Sequence, residues 1–286
     1  MEKKYRIAGV EIEILIPEEL DMKREGYLQA FQVDNVSNPH RFYFDVVEEV
    51  EEPRGHLVAS FPGNLIFQNE KGQIRYGCVV ESGWWKADYR VESKDKEHFV
   101  QVRRSECGGK IGPKIILNVL GAERLFLEKN GIILHASFIK YKGHGILFTA
   151  PSGTGKSTQA DLWADLRGGE IINGDRAVIR SIDDKVSVCG IPFAGSSSYC
   201  VNGEAPLAAI VYLNQASETV ISCMGKAEAF RKVWEGCTVS SWDSEAVEKA
   251  IQVVQEVIMS VPVYHLSCTP DESAVIALEK ELEKEC

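Results

Sequence analysis

The chain has 286 residues, enough for one large domain or two smaller ones, and is 44% apolar and 26% charged, as ordinary globular proteins are. Its formal net charge of −10 and pI near 5.2 argue against non-specific binding to nucleic acid or to an anionic membrane, which needs a basic surface. The eight cysteines include no CxxC pair, so they read as free thiols of a reducing compartment, not as a disulfide framework or a zinc site.

In chain order, the opening "MEKKYRIAGV" has two lysines but no long apolar run, so no signal peptide is expected. No apolar stretch approaches the ~18 residues of a spanning helix. The reading is a cytoplasmic protein with no membrane part. Val10 to Ile16 ("VEIEILI") alternates apolar and acidic residues, the period of a half-buried strand. "RFYFDVV", "HLVASF", "NLIFQ", "QIRYGCVV", "KADYRVE" and "HFVQVRR" follow as further short strands, with "NEKG" (Asn69 to Gly72) as a hairpin turn. Residues 1–110 therefore read as a β-rich region.

The pattern changes after "CGGKIGP". Ile115, Ile116, Val119, Leu120, Leu125 and Leu127 recur at roughly helical spacing, opened by Pro113 and closed by Asn130-Gly131. Strands and helices then alternate through residues 111–286. "GIILHASFIK", "GHGILFTA", "EIIN", "DKVSVCG", "PLAAIVYLN" and "VPVYHL" read as strands. "GKSTQADLWADLR", "KAEAFRKVWEG" and "SEAVEKAIQVVQEVIMS" read as helices, the last with Val247, Ile251, Val254 and Ile258 as its buried stripe. A C-terminal helix is expected from "TPDE", with Thr269 as its cap and Pro270 in its first turn.

One stretch carries chemistry. "APSGTGKS", Ala150 to Ser157, fits the phosphate-loop pattern G-x-x-x-x-G-K-[ST] with Ala in place of the first Gly. Gly153 and Gly155 let the backbone curl so that successive N–H groups face phosphate oxygens. Lys156 adds a point charge, Ser157 a hydroxyl for Mg²⁺, and the following helix its positive end. Ser152, Gly153, Thr154, Gly155, Lys156, Ser157 and Thr158 are thus the candidate nucleotide contacts. "EIINGDR" supplies Asp175, 18 residues beyond Ser157, as a second metal ligand at a strand end.

"SGTGKST", the nearby "NGDR", and "LHAS", whose His135 lies fifteen residues before Ala150, together resemble the catalytic domain of HPr kinase/phosphorylase and the nucleotide core of ATP-dependent phosphoenolpyruvate carboxykinase. The resemblance spans about residues 130 to 270. It implies an α/β (α+β) P-loop domain with a mixed sheet at residues 111–286, following the β-rich region. It also implies an ATP- and Mg²⁺-dependent phosphotransferase of the serine-kinase kind, acting on a peptide or small protein. Under it, Lys156 and Ser157 hold phosphate and metal, Asp175 is the metal-binding acid, and His135 matches a histidine on the strand beside the loop. Asp175, His135 and Lys156 are then the catalytic candidates.

Two positions depart from the family. Gly174 stands where an Asp serves as base, and Thr158 where a Glu is common; both point away from HPr itself as acceptor. Asp175, His135 and Glu204 remain alternatives for the missing base. A small-molecule kinase and a non-catalytic nucleotide-binding regulator remain alternatives for the function. The acidic net charge favours a neutral or basic acceptor.

Overall fold

A computed structural model of the chain describes residues 1–18, 26–61, 63–70, 72–81, 84–107, 118–182, 185–193, 195 and 199–284. The chain is α/β, with two mixed sheets, and divides into two compact units, Met1–Ala122 and Glu123–Cys286. Among the described residues no helix is long and apolar enough to cross a membrane.

The first unit is an eight-stranded sheet. Its strands are β1 (Glu2–Ile7), β2 (Val10–Leu15), β3 (His40–Val47), β4 (His56–Phe61), β5 (Asn64–Asn69), β6 (Gly72–Glu81), β7 (Trp84–Lys94) and β8 (Glu97–Arg103), in the order β1-β2-β3-β8-β7-β6-β5-β4. The pairs β2/β3 and β3/β8 are parallel and the others antiparallel. The alternation read in "VEIEILI" is realised: Val10, Ile12 and Ile14 are buried, whereas Glu11 and Glu13 are half-exposed. A short helix α1 (Arg104–Cys107) follows β8.

The second unit begins one residue into α2 (Ala122–Glu128) and continues with β9 (Gly131–Tyr141), β10 (His144–Thr149), α3 (Lys156–Arg167), β11 (Glu170–Asn173), β12 (Arg176–Ile182), β13 (Lys185–Gly190), β14 (Glu204–Gln215), β15 (Val220–Cys223), α4 (Lys226–Gly236), β16 (Cys237–Thr238), α5 (Ser244–Ser260), β17 (Val263–Cys268) and α6 (Glu272–Leu282). Two long strands organise it. The first half of β9 pairs with β12 and β16, its second half with β10 and β11. The start of β14 pairs with β13 and its remainder with β10 and β17. Because β10 also lies parallel to β14, the path β10-β9-β12-β13-β14 closes on itself. Strands enclosed in this way are buried on both faces, and β9 is buried at nearly every position from Gly131 to Ile139, broken by a half-exposed His135.

Two apolar cores flank the sheet. On one side Ile139, Phe148, Val211 and Leu266 pack with Ala160 and Trp163 of α3 and Ala274, Val275 and Leu278 of α6. On the other, Leu134, Ala136, Leu147 and Ile210 pack with Ala229 and Val233 of α4 and Val253, Val254 and Val257 of α5. Helix α3 is further anchored at its end. Arg167 Nε lies 2.7 Å from Glu279 Oε2 on α6, and the same carboxylate accepts from Tyr141 Oη of β9 at 2.8 Å.

Several sequence expectations shift. Val119, Leu120, Leu125 and Leu127 are buried as their spacing predicts; Pro113, Ile115 and Ile116 lie outside the described residues. The buried stripe of α5 is Ala250, Val253, Val254, Val257 and Ile258, so Val247 and Ile251 sit at its margin. The C-terminal helix is capped by Asp271, which accepts from Ser273 N at 2.9 Å, while Thr269 hydrogen-bonds to that carboxylate. A carboxylate two residues from the first free N–H reaches it directly, so Asp271 takes the role expected of Thr269, and the helix begins beyond Pro270. Strand β12 lacks a readable period, since Ala177, Val178 and Ile179 are all buried in succession.

Asp243 caps α5, accepting from Ala246 N at 3.2 Å, and its other oxygen lies 3.3 Å from Arg124 Nη2. Asp243→Ala should cost about 1 kcal/mol, lowering the melting temperature by a few degrees; an unchanged thermal transition would contradict the cap.

Candidate active site

The glycine-rich loop leaves the end of β10 and enters α3 directly, with Lys156 as the first helical residue. Gly153 (φ 79°) and Gly155 (φ 117°) adopt backbone angles that other residues take only under strain. Backbone of this kind forms anion-binding concavities. A Cβ at either position would meet open space, so the glycines are required by conformation and not by crowding. Helix α3 has no side-chain cap and no acid in its first turn, leaving its positive end uncompensated.

Lys156 is 8% exposed. Its Nζ donates to the loop's own carbonyls, Ala150 O at 2.9 Å and Pro151 O at 3.4 Å. Burial pushes the ammonium pKa down, with Asp175 opposing the shift. Thr154 closes the loop by donating from Oγ1 to Pro151 O at 2.9 Å. Ser152, Gly153, Ser157 and Thr158 are exposed. From the end of β14, Gln215 Nε2 donates to Gly153 O and Thr154 O at 3.4 and 3.3 Å, holding the outer side of the loop.

Asp175 lies in the turn between β11 and β12. That turn is built around Asn173, which is fully buried. Its Oδ1 accepts from the N–H groups of Asp175 and Arg176 at 3.0 and 3.1 Å, and its Nδ2 donates to Ile191 O at 2.6 Å. Ser137 Oγ of β9 donates to Gly174 O at 3.1 Å. The Asp175 carboxylate is held between two neighbours: His135 Nε2 is 3.4 Å from Oδ1, and Arg176 Nε is 3.3 Å from Oδ2. Arg176 Nε has no hydrogen-bond acceptor, so that second contact is an ion pair without an aimed N–H. Gly195 (φ 57°) lies against this carboxylate; a Cβ there would fall 2.6–2.8 Å from Asp175 atoms.

His135 stands opposite Arg176 in the β9/β12 register, and its carbonyl accepts from Thr149 Oγ1, the last residue of β10, at 3.0 Å. Burial lowers the imidazole pKa below its usual 6.5; Lys156 and Arg176 lower it further, and Asp175 partly opposes them. Lys156, Asp175 and His135 therefore act on one another electrostatically although they come from α3, the β11/β12 turn and β9. A neutral imidazole oriented by a carboxylate can accept a proton, and the cationic loop can hold an anion.

Glu204 is engaged elsewhere, across from Cys189 at the start of β14. Its neighbours are Arg180 at 3.8 Å and the Cys189 thiol. Cys189, Cys200, Cys223, Cys237 and Cys268 are free, and burial pushes Cys189, Cys200 and Cys237 up to about 12, so these three are protonated thiols and not nucleophiles.

Asn173, Ser137, Thr149, Gln215, Gly195 and Arg176 escape the motif reading. Only the Asn before "GDR" offers a local signal, since Asn side chains cap backbone two residues on. The rest come together through strand pairing.

No protein-family model matches the chain, and no curated protein matches it. Among solved structures, the Hpr(Ser) kinase/phosphatase from Coxiella burnetii is similar over 54% of this chain and 92% of its own, at 11% sequence identity and a TM-score of 0.34. At that TM-score the likeness assigns neither a fold family nor an activity.

His135 should titrate below 6.5 by NMR. Lys156→Ala should raise its pKa and Asp175→Asn should lower it; shifts of opposite sign would contradict the cluster. Because the folded pKa lies below the unfolded one, the unfolded chain takes up the proton first. Stability should therefore decline as pH falls below 6.5 towards the folded pKa, and be unaffected by this group above 6.5. Gly195→Ala should press on Asp175 and move the His135 resonance, and the left-handed backbone and close approach should also lower the melting temperature. An unmoved resonance would place Gly195 away from the carboxylate.

Proposed function

We propose that residues 111–286 form a P-loop kinase domain of the kind found in HPr kinase and ATP-dependent phosphoenolpyruvate carboxykinase, with residues 1–110 as a separate β-rich region. On this reading the chain is an ATP- and Mg²⁺-dependent kinase that transfers the γ-phosphate to a serine or other hydroxyl of a peptide or small protein. The observation that carries it is the mutual electrostatic reach of Lys156, Asp175 and His135 beside a left-handed glycine loop with an uncompensated helix end. The acceptor class follows from the sequence resemblance to HPr kinases.

The residues fit a magnesium nucleotide. Lys156 is nearly buried with only two carbonyls to bond, an arrangement that phosphate oxygens would improve. Among the described residues no three acids, histidines or cysteines cluster around a metal. That suits Mg²⁺, which usually takes one or two protein ligands and fills its shell with phosphate oxygens and water. Asp175 and Ser157 would be those ligands, and the ion would neutralise charge on the transferred group. Ser152 to Thr158 would bind the phosphates. His135, oriented by Asp175, would take the acceptor's proton in place of the absent acid at Gly174. A base contributes about 10²–10⁴-fold, so positioning and charge supply the greater part of the rate.

At a MgATP concentration of 100 times Kd, binding should stabilise the fold by about 2.7 kcal/mol, a rise of roughly 5–10 °C in melting temperature. Lys156→Ala should abolish most of it, and an unmoved transition at millimolar MgATP would refute the reading. Labelled ATP incubated with cell fractions should mark a polypeptide. Label found only on metabolites would make the protein a small-molecule kinase, and binding without any turnover would make it a regulator.

A further inference from the structure

Among the described residues of the site, two cations face one carboxylate. Lys156 and Arg176 carry two positive charges, and Asp175 carries one negative charge, while position 174 is Gly. Asp175 lies between His135 and Arg176, 3.4 Å and 3.3 Å away. A metal taken up by Asp175 would leave the Arg176 guanidinium without its counter-charge. The guanidinium is not fully engaged: its Nε is buried without a hydrogen bond, while the side chain as a whole keeps 41% of its surface exposed. It does not swing freely, because its carbon lies 5.9 Å from the centre of the Phe193 ring and its backbone N–H is tied to Asn173 Oδ1. An arginine fixed at its root, near an aromatic ring at its tip and ion-paired to the metal-binding acid is a charge held beside the place where a phosphoryl group would travel.

The geometry points to Arg176 as a catalytic residue that binds the phosphoryl group during transfer, exchanging Asp175 for the equatorial phosphoryl oxygens once Asp175 turns to the metal. This rests on the kinase reading above. In the step, the bond from Pγ to the β–γ bridging oxygen breaks and the electron pair leaves with ADP. A bond from the acceptor hydroxyl oxygen to Pγ forms, and the hydroxyl proton passes to His135. Negative charge spreads over the three equatorial oxygens in a loose transition state, and a planar guanidinium can meet two of them at once. Arg176 thereby supplies charge stabilisation in a site where, among the described residues, Asp175 is the one carboxylate beside it.

Calorimetric titration of the whole chain with MgADP, with and without aluminium fluoride as the mimic of the transferring group, tests this without an acceptor. The wild type should bind MgADP more tightly when aluminium fluoride is present. Arg176→Ala should change the MgADP Kd by less than about threefold but weaken the aluminium fluoride complex by about 10²-fold, the scale of a lost transition-state contact. Arg176→Lys should recover only part, since an ammonium lacks the two-pronged geometry, and it serves as the test variant if the alanine form does not fold. Equal tightening in wild type and variant would overturn the proposal. So would an equal loss for MgADP alone, which would make Arg176 a ground-state contact. A wild type that binds MgADP with no tightening would overturn the role of Arg176 and leave nucleotide binding standing. A wild type that binds no nucleotide would overturn both.

Discussion

The candidate site depends on how strand ends meet across the middle of β9. Along one edge β11 and β12 pair with β9 in nearly one continuous register, interrupted at Gly174-Asp175. Along the other edge β10 pairs with β9 as far as Ala136 and ends there. Thr149, the last residue of β10, and Arg176, the first of β12, therefore flank β9 on its two sides, at Ala136 and His135. The glycine loop follows the first and the Asp175 turn precedes the second. His135 stands between them and is the one half-exposed interruption in an otherwise buried stretch of β9.

The site is kept in shape by buried polar contacts. Asn173 is fully buried and uses both ends of its amide, on Ile191 O and on the N–H groups of Asp175 and Arg176. Ser137, also fully buried, holds Gly174 O, and Thr149 holds His135 O. A buried amide whose partners were removed would cost about 1–3 kcal/mol, so this turn has few alternative conformations. Behind the loop, α3 is fixed by the fully buried Trp163, which packs edge-on against Tyr141 at 5.0 Å, and by the Arg167–Glu279–Tyr141 contacts. The loop is thus mounted on rigid elements at both ends, which precise placement of reacting groups requires.

Charges within the site act on one another. Burial first, then Lys156 and Arg176, depress the His135 pKa; burial also depresses that of Lys156, and Asp175 opposes both shifts. Substituting any one of the four changes the protonation or orientation of the others, so their effects should not add. The cationic excess sits in a chain whose net charge is −10. A local positive site on an acidic protein attracts a small anion while opposing acidic macromolecules at longer range.

Local sequence by itself determined the helices, most strands and the loop. Their periods, the Gly–Lys–Ser run and the Asn-Gly-Asp turn are encoded within a few residues. Helices at Lys226–Gly236 and Ser244–Ser260 and the strands flanking the loop stand where their patterns predict. Tertiary structure decided what no window of sequence contains. It brought His135 across from Arg176 and paired Glu204 with Cys189 of β13. It set Gly195 against Asp175 and carried Gln215 to the outer side of the loop. Those relations depend on strand register between segments distant in sequence, and register is set by how whole faces bury, not by any residue's own preference.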